Sequence, residues 1–247
     1  MISIKSKEDI KEIKRSGAIA SFALKQIIKN LRPGVTTFEL DKLARRTIKA
    51  RGAEPSFLGY KGYEHAVCIS INNEVVHGLP SSRTIEQGDV VGIDIGVNLN
   101  GYYSDLATTC VVGQQDENIS RLIVGTKEAL FEAIKMIRPG VKVGDIESRT
   151  GEVLKKYKLD PITALSGHGV GYSVHEEPSI KSDGVSGTGP VIKEGMVLAI
   201  EPMSCLGSSK VHTLSDGWTV VTDDGSISAH FEHTVEVGKM GVKILTQ

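Results

Sequence analysis

Four acids stand out for where they lie: Asp94 in VVGIDIG, Asp105 in GYYSDLATT, Glu201 in LAIEPM and Glu232 in AHFEHT. Each falls within or beside a run of aliphatic and β-branched residues. A carboxylate in an apolar strand is costly unless it is paired or binds a metal. For any one of these acids a salt bridge or a turn cap would be the ordinary explanation. Four together are harder to explain, because neighbouring carboxylates repel and raise one another's pKa. No matching lysines or arginines lie in the same runs, so divalent metal ions are the simplest source of positive charge. An oxygen-rich set with one or two histidines suits manganese, iron, cobalt or zinc better than a thiolate-loving metal. Four carboxylates exceed what one catalytic zinc takes. Two ions about 3.5–4 Å apart, bridged by carboxylates, would use them all and would support hydrolysis. The non-catalytic alternative is a calcium or magnesium site that only stabilises the fold.

Seven histidines accompany the acids. His77 in NNEVVHGLP, His168 in SGHGVGY and His175 before Glu176-Glu177-Pro178 rank first, since each ends a strand or loop beside a glycine or proline turn. His65, His212, His230 and His233 read as solvated or hydrogen-bonded residues. Spacing alone leaves open which histidine binds metal. Tyr60 and Tyr63 in GYKGY read as part of a loop lining a pocket. Other catalytic templates fail: no HExxH, Walker A, GxGxxG or GxSxG pattern is present. The three cysteines, Cys68, Cys110 and Cys205, are widely separated and include no CxxC pair, which fits a reducing compartment. Cys68 would be a target for oxidation if its thiolate were accessible.

Something must bring these residues together, and the sequence repeats itself in a way that would do so. LRPGV at 31–35 recurs as IRPGV at 137–141, and IEQGDVVGIDIG at 85–96 recurs as IKEGMVLAIEPM at 192–203. The two pairs of blocks have nearly the same internal spacing. The chain therefore reads as a duplicated helix-helix-strand unit, with two halves around a pseudo-twofold axis rather than a solenoid. The repeat aligns Asp94 with Glu201. Within the units, Ser6 with Asp9 and Thr36 with Glu39 predict capped helix starts, and Pro33-Gly34 ends the first helix. Apolar spacing predicts a helix face of Ile10, Ile13, Ile19 or Ala20, Leu24, Ile27, Ile28 and Leu31, and a second of Phe38, Leu40, Leu43 and Ile48. Further helices are predicted at about 117–137 and 144–157. Strands are expected over 66–71, 90–97, 106–112, 196–203, 218–222 and 231–237, and 181–190 reads as a surface loop. Alternation places Gly92, Asp94 and Gly96 on one face of their strand, and Val197, Ala199, Glu201 and Met203 on one face of theirs.

The bulk properties are those of an ordinary globular protein. Of 247 residues, 40% are hydrophobic and 24% charged, and the net charge of −1 gives no global case for nucleic acid or an acidic membrane. No linker divides the chain, so residues 1–247 are expected to form one domain with halves at roughly 1–115 and 116–247. Residues 1–30 show no signal-peptide pattern, and no apolar run of about 18 residues appears, so the expected location is the cytoplasm.

The set IDIG at 93–96, Asp105, SGHGVG at 166–171, IEPM at 200–203 and FEHT at 231–234 resembles the methionine aminopeptidases of type I. The resemblance spans nearly the whole chain. It implies an α+β pita-bread fold, in which two pseudo-twofold-related helix-strand halves surround a curved antiparallel sheet. It implies removal of the N-terminal methionine from nascent polypeptides with a small second residue, by two-metal-activated attack of water on the first peptide bond. Asp94, Asp105, His168, Glu201 and Glu232 would be the metal ligands, with Asp105 and Glu232 bridging. Glu201 would also shuttle the proton, while His77 and His175 would bind substrate and stabilise the developing charge. Tyr60, Tyr63, Cys68, His77 and Trp218 match positions lining the methionine pocket. Phe57 and Val174 depart from the residues common in bacterial relatives, which bears on the shape of that pocket. Asn72 and Ser228 match a monovalent-cation site. The implied partners are a peptide substrate and transient ribosome contact, with a monomer expected. The 26 positions between His175 and Glu201 leave no room for the long insertion of type II. Two other readings are an X-Pro-type exopeptidase on the same fold and a catalytically inactive metal-binding partner protein.

Overall fold

The computed structural model describes residues 2–247. The first part of the chain contains α1 (Lys7–Asn30), α2 (Thr37–Lys49), β1 (Glu54–Pro55), β2 (Cys68–Ile71), β3 (Glu74–Val76), β4 (Val90–Leu99) and β5 (Tyr102–Val111). The second contains α3 (Glu117–Met136), α4 (Val143–Lys156), β6 (Asp160–Pro161), β7 (Ser166–Gly169), β8 (Glu176–Lys181), β9 (Val197–Ile200) and β10 (Met203–Cys205). It then continues through β11 (Val211–Thr213), β12 (Val220–Thr222), β13 (Ser228–His230), β14 (His233–Gly238) and β15 (Gly241–Ile244). Both predicted capping boxes form: the side chain of Ser6 accepts from the Asp9 N–H, and that of Thr36 from the Glu39 N–H. Each satisfies an otherwise unpaired amide and contributes about 1 kcal/mol.

Two layers of helix on sheet result. In the first, the order is β1-β4-β2, with β5 also pairing β4. Val91, Ile93, Ile95 and Val97 of β4 pack with Ala20, Leu24, Ile27, Leu40 and Ile48 of α1 and α2. In the second, the order is β15-β14-β9-β7-β8, and Leu198, Ile200, Val235 and Val237 pack with Leu130, Ile134, Ile146 and Leu154 of α3 and α4. All strand pairs are antiparallel. The remaining strands form two three-stranded sheets, β13-β10-β6 and β11-β12-β3. The two layers meet along β5. There the Glu232 N–H donates to the Ala107 carbonyl, the Asp105 N–H donates to Thr234 Oγ1, and Thr109 Oγ1 donates to the His230 carbonyl.

The structure corrects several local expectations. The strand expected over 196–203 is broken at Glu201-Pro202: β9 belongs to the five-stranded sheet and β10 to a three-stranded one. Pro202 has no N–H to give a ladder, so the chain changes sheets there, and Glu201 lies at the junction instead of sharing an unbroken face with Met203. The strand expected over 231–237 is divided in the same way, with Phe231-Glu232 between β13 and β14, whereas Asp105 lies inside β5. Among the helix residues, Ile28 is 38% exposed and Phe38 41% exposed. Phe38 instead carries the Lys42 ammonium 4.3 Å above its ring, a cation–π contact.

Candidate active site

Alternation along β4 sends its aliphatic side chains to the helices and leaves Asp94 on the opposite face, as the sequence predicts. Asp94 pairs across to Cys68 on one side and Ala107 on the other, and Asp105 pairs with Gly96. Both acids therefore come from adjacent antiparallel strands. His168 on β7 pairs with Ala199 of β9, two residues before Glu201. Glu232 enters from the other junction, held by its N–H bond to β5. All five residues line one cavity of about 370 Å³.

Ligand atoms of Asp105, His168 and Glu232 lie within 4.8 Å of one another, and the three residues are buried. His168 Nε2 stands 3.2 Å from Glu201 Oε1 and 3.9 Å from Asp105 Oδ2. Its Nδ1 lies 2.9 Å from the Gly169 carbonyl. A carbonyl can only accept, so this bond places the ring proton on Nδ1 and leaves the Nε2 lone pair facing the acids, the arrangement of a metal-ligating histidine. Burial pushes the Asp105 carboxyl up to about 7. Burial, and then repulsion from the neighbouring carboxylates, hold Asp94, Glu201 and Glu232 well above the usual range. Burial holds His168 down to about 4, so the ring is neutral at pH 7. Asp94 Oδ1 and Glu232 Oε1 are buried without a hydrogen-bond partner. Buried acceptors without donors cost free energy. A set of acidic oxygens beside the free Nε2 of His168, with no lysine or arginine salt bridge to them among the described residues, fits a pair of divalent cations.

The rest of the cavity wall mixes the rings of Phe57, Tyr60, Tyr63 and Trp218 with Cys68, Val76, Leu165 and Met203. Phe57, Tyr63, Cys68 and Val174 form a buried cluster, against which Tyr60 and Trp218 pack. The Tyr63 and Trp218 rings meet edge to face with centroids 4.9 Å apart. Tyr63 donates from its hydroxyl to the Val67 carbonyl at 3.0 Å. Cys68 is 4% exposed and burial raises its thiol, so the conditional expectation of a reactive thiolate is not met. His175 Nδ1 lies 3.0 Å from the Tyr60 hydroxyl, and its ring is 4.4 Å from that of His168. Partial enclosure of the ring, with the neighbouring His168 and His77, lowers His175, and burial also lowers His77. His77 sits at φ 59°, a left-handed backbone that is unusual for a bulky residue and that concentrates at functional sites. The next residue, Gly78, is required by packing: a Cβ there would lie 2.3 Å from the Ile69 carbonyl oxygen.

The five candidate ligands and Phe57, Tyr60, Tyr63, Cys68, His77, His175 and Trp218 therefore border the same cavity, whereas Val174 packs behind its wall. Asn72 and Ser228 also come together, although away from it: Ser228 Oγ lies 3.1 Å from the Glu74 carbonyl and 3.4 Å from that of Asn72. The structure corrects the reading of His230 as solvated or hydrogen-bonded. His230 is 3% exposed, its Nε2 lies 3.3 Å from Glu201 Oε2, and that nitrogen has no hydrogen-bond partner. The available signal was its spacing of two from Glu232, which puts both side chains on one side of an extended segment.

Residues 11–239 match the family model of metallopeptidase family M24. The chain belongs to that family, and divalent metal use comes with it. Among curated proteins it is similar to methionine aminopeptidase 1 of Bacillus subtilis, 41% identical over all of both chains. It is also similar to the methionine aminopeptidase of Aquifex aeolicus, 43% identical over all of this chain and 99% of that one. Among solved structures, the methionine aminopeptidase of Thermotoga maritima superposes with a TM-score of 0.98 at 42% identity, covering both chains fully. The prolidase of Pyrococcus furiosus reaches 0.82 at 29% identity, covering 99% of this chain and 65% of that one. These neighbours share the pita-bread fold, as the sequence resemblance implies.

Proposed function

We propose that this protein is a methionyl aminopeptidase acting on nascent polypeptides with a small second residue, as one metallo-aminopeptidase domain over residues 1–247. Removal of N-terminal methionine is the activity for which its full-length relatives are named. The observation that carries the mechanism is the convergence of Asp105, His168 and Glu232 in a cavity partly lined by aromatic rings. Asp94, Asp105, His168, Glu201 and Glu232 would hold two divalent ions, drawn from manganese, iron, cobalt or zinc. When bound, these supply a water of lowered pKa and a Lewis acid for the first peptide carbonyl. Glu201 takes the proton of the attacking water and returns it to the departing amine. His175 and His77 are neutral donors to the carbonyl oxygen as charge develops on it. If the Tyr60 hydroxyl, 3.0 Å away, donates to its Nδ1, His175 would carry its own proton on Nε2, where it is available to substrate. The free amino group of the substrate lies beside Asp94. Tyr60, Tyr63, Cys68 and Trp218 receive the methionine side chain, whose sulfur gains about 0.3–1.5 kcal/mol per aromatic contact.

The carbonyls of Asn72 and Glu74, with Ser228 Oγ, form an oxygen-only group that suits a monovalent cation. A cytoplasmic monomer with transient ribosome contact would suit action on nascent chains. No helix among the described residues is long and apolar enough to cross a membrane. Neither an X-Pro exopeptidase nor an inactive binding protein is favoured, because the full-length relatives carry the methionine aminopeptidase name and all five ligand positions are intact. Counting bound manganese by calorimetry and elemental analysis tests the ligand assignment. Two ions per chain are expected, with at least one lost in Asp105→Asn. Full occupancy in Asp105→Asn would overturn it.

A further inference from the structure

His175 sits at the end of an exposed turn, and the structure holds that turn by an unusual route. Tyr172, at its start, is 47% exposed, while Val174 packs into the buried cluster of Phe57, Tyr63 and Cys68. The polar anchor of the turn is the Glu176 carboxylate. Oε1 accepts from the Tyr172 N–H at 2.6 Å and the Ser173 N–H at 3.1 Å. Oε2 accepts from Lys5 Nζ at 2.6 Å and from Ser3 Oγ. Lys5 precedes α1, lies 171 positions away in sequence, and has a side chain only 1% exposed. Its own backbone N–H is fixed to the Gly195 carbonyl at 2.8 Å. A Cβ at Gly171 would lie 2.6 Å from Lys5 Cε, so the turn closes tightly over the lysine stem. The Tyr172 hydroxyl also donates to Asp9 Oδ2, at 2.7 Å, on the first turn of α1. The segment ahead of α1 thus grips the outer side of the turn that presents His175 to the cavity on its inner side.

A buried ion pair is weak evidence for stability, because desolvation offsets its attraction, and apolar residues often replace such pairs without loss. What a carboxylate with four donors does supply is fixed geometry. We propose that Lys5 is a positioning residue for His175, acting through Glu176 to set the turn that aims the imidazole at the scissile carbonyl. The proposal rests on the reading of His175 as a substrate-binding group. It makes a residue remote in sequence from every ligand part of the machinery of turnover.

The experiment compares wild type, K5M, E176Q, K5M/E176Q, H175A and K5M/H175A, each loaded with manganese and assayed on Met-Ala-Ser. Manganese affinity is measured by calorimetry for each. K5M is expected to lower kcat/KM at least tenfold, mainly in kcat, with manganese affinity within twofold of wild type. In the H175A background K5M should change kcat/KM less than twofold, since the group it positions is gone. E176Q added to K5M should recover at least threefold, because glutamine still accepts from the turn amides and leaves no unpaired buried charge. K5M activity within twofold of wild type, a parallel loss of metal affinity, or an equal cost in the H175A background would each overturn the proposal. If K5M does not fold, E176Q alone carries the same expectation. H175A indistinguishable from wild type would instead remove the reading of His175, an outcome separate from an impaired H175A beside an unimpaired K5M.

Discussion

At the scale of single residues, each candidate site group is tuned by its neighbours. His168 has its proton fixed on Nδ1 by the Gly169 carbonyl, and so offers a lone pair without titrating near neutral pH. Glu201 lies between two imidazole nitrogens, His168 Nε2 at 3.2 Å and His230 Nε2 at 3.3 Å. His230→Ala would leave Glu201 Oε2 without that neighbour. Groups that orient a metal ligand typically contribute 10–100-fold in affinity or activity. We therefore predict a loss of about 10–100-fold in kcat/KM for His230→Ala, read from steady-state kinetics beside manganese calorimetry. The sequence showed His168 and His175 because glycines and a proline flank them. It did not show His230, because what distinguishes that residue is its approach to Glu201, 29 positions away, across a sheet junction. Lys5 was hidden for the same reason: its partner lies 171 positions off.

At the scale of elements, α1 does more than cover a sheet. Gly17 lies against the end of the chain, where a Cβ would stand 2.4 Å from the Leu245 carbonyl oxygen. Backbone cannot retreat as a flexible side chain can, so Gly17→Ala should destabilise by about 1–3 kcal/mol despite its better helix propensity. Denaturant titration measures this, and a stabilised Gly17→Ala would contradict it. Asp9 ties the start of the same helix to Ser6, Tyr172 and Tyr102, and these hydrogen bonds hold its carboxyl below its ordinary value of 3.8. A depressed carboxyl stabilises the fold fully above the unfolded value and loses that contribution as pH falls through the folded one. The Tm deficit of Asp9→Asn relative to wild type should therefore be widest at neutral pH and narrow below 3.8. A deficit that is constant with pH would show that the charge contributes nothing. Capping boxes and helix faces were legible because their determinants lie within a few residues. The breaks at Pro202 and Phe231-Glu232 were not, because apolar alternation runs through both and only the pairing partners reveal a change of sheet.

At the scale of the molecule, the repeat visible in the sequence is what brings the acids together. One unit contributes Asp94 and Asp105 from adjacent strands, the other His168, Glu201 and Glu232 from a strand and two sheet junctions, and the units meet along β5. The fold thereby concentrates four carboxylates at its centre, each pushed above its normal range. A ligand that binds only the folded state raises its stability with concentration. Chelation should therefore lower Tm and manganese should restore it in a concentration-dependent way, followed by calorimetry. An unchanged Tm would mean that the acids are satisfied without metal.

The most direct test of the account is made on peptides. Protein stripped of metal and reloaded separately with manganese, cobalt, zinc or, anaerobically, iron is offered Met-Ala-Ser, Met-Lys-Ser and Ala-Pro-Ser, with Glu201→Ala as the control. The account predicts metal-dependent release of methionine from Met-Ala-Ser, little from Met-Lys-Ser, none from Ala-Pro-Ser, and loss of the activity in Glu201→Ala. Cleavage of Ala-Pro-Ser in place of Met-Ala-Ser, or no release with any metal from protein shown to be folded and loaded, would contradict it.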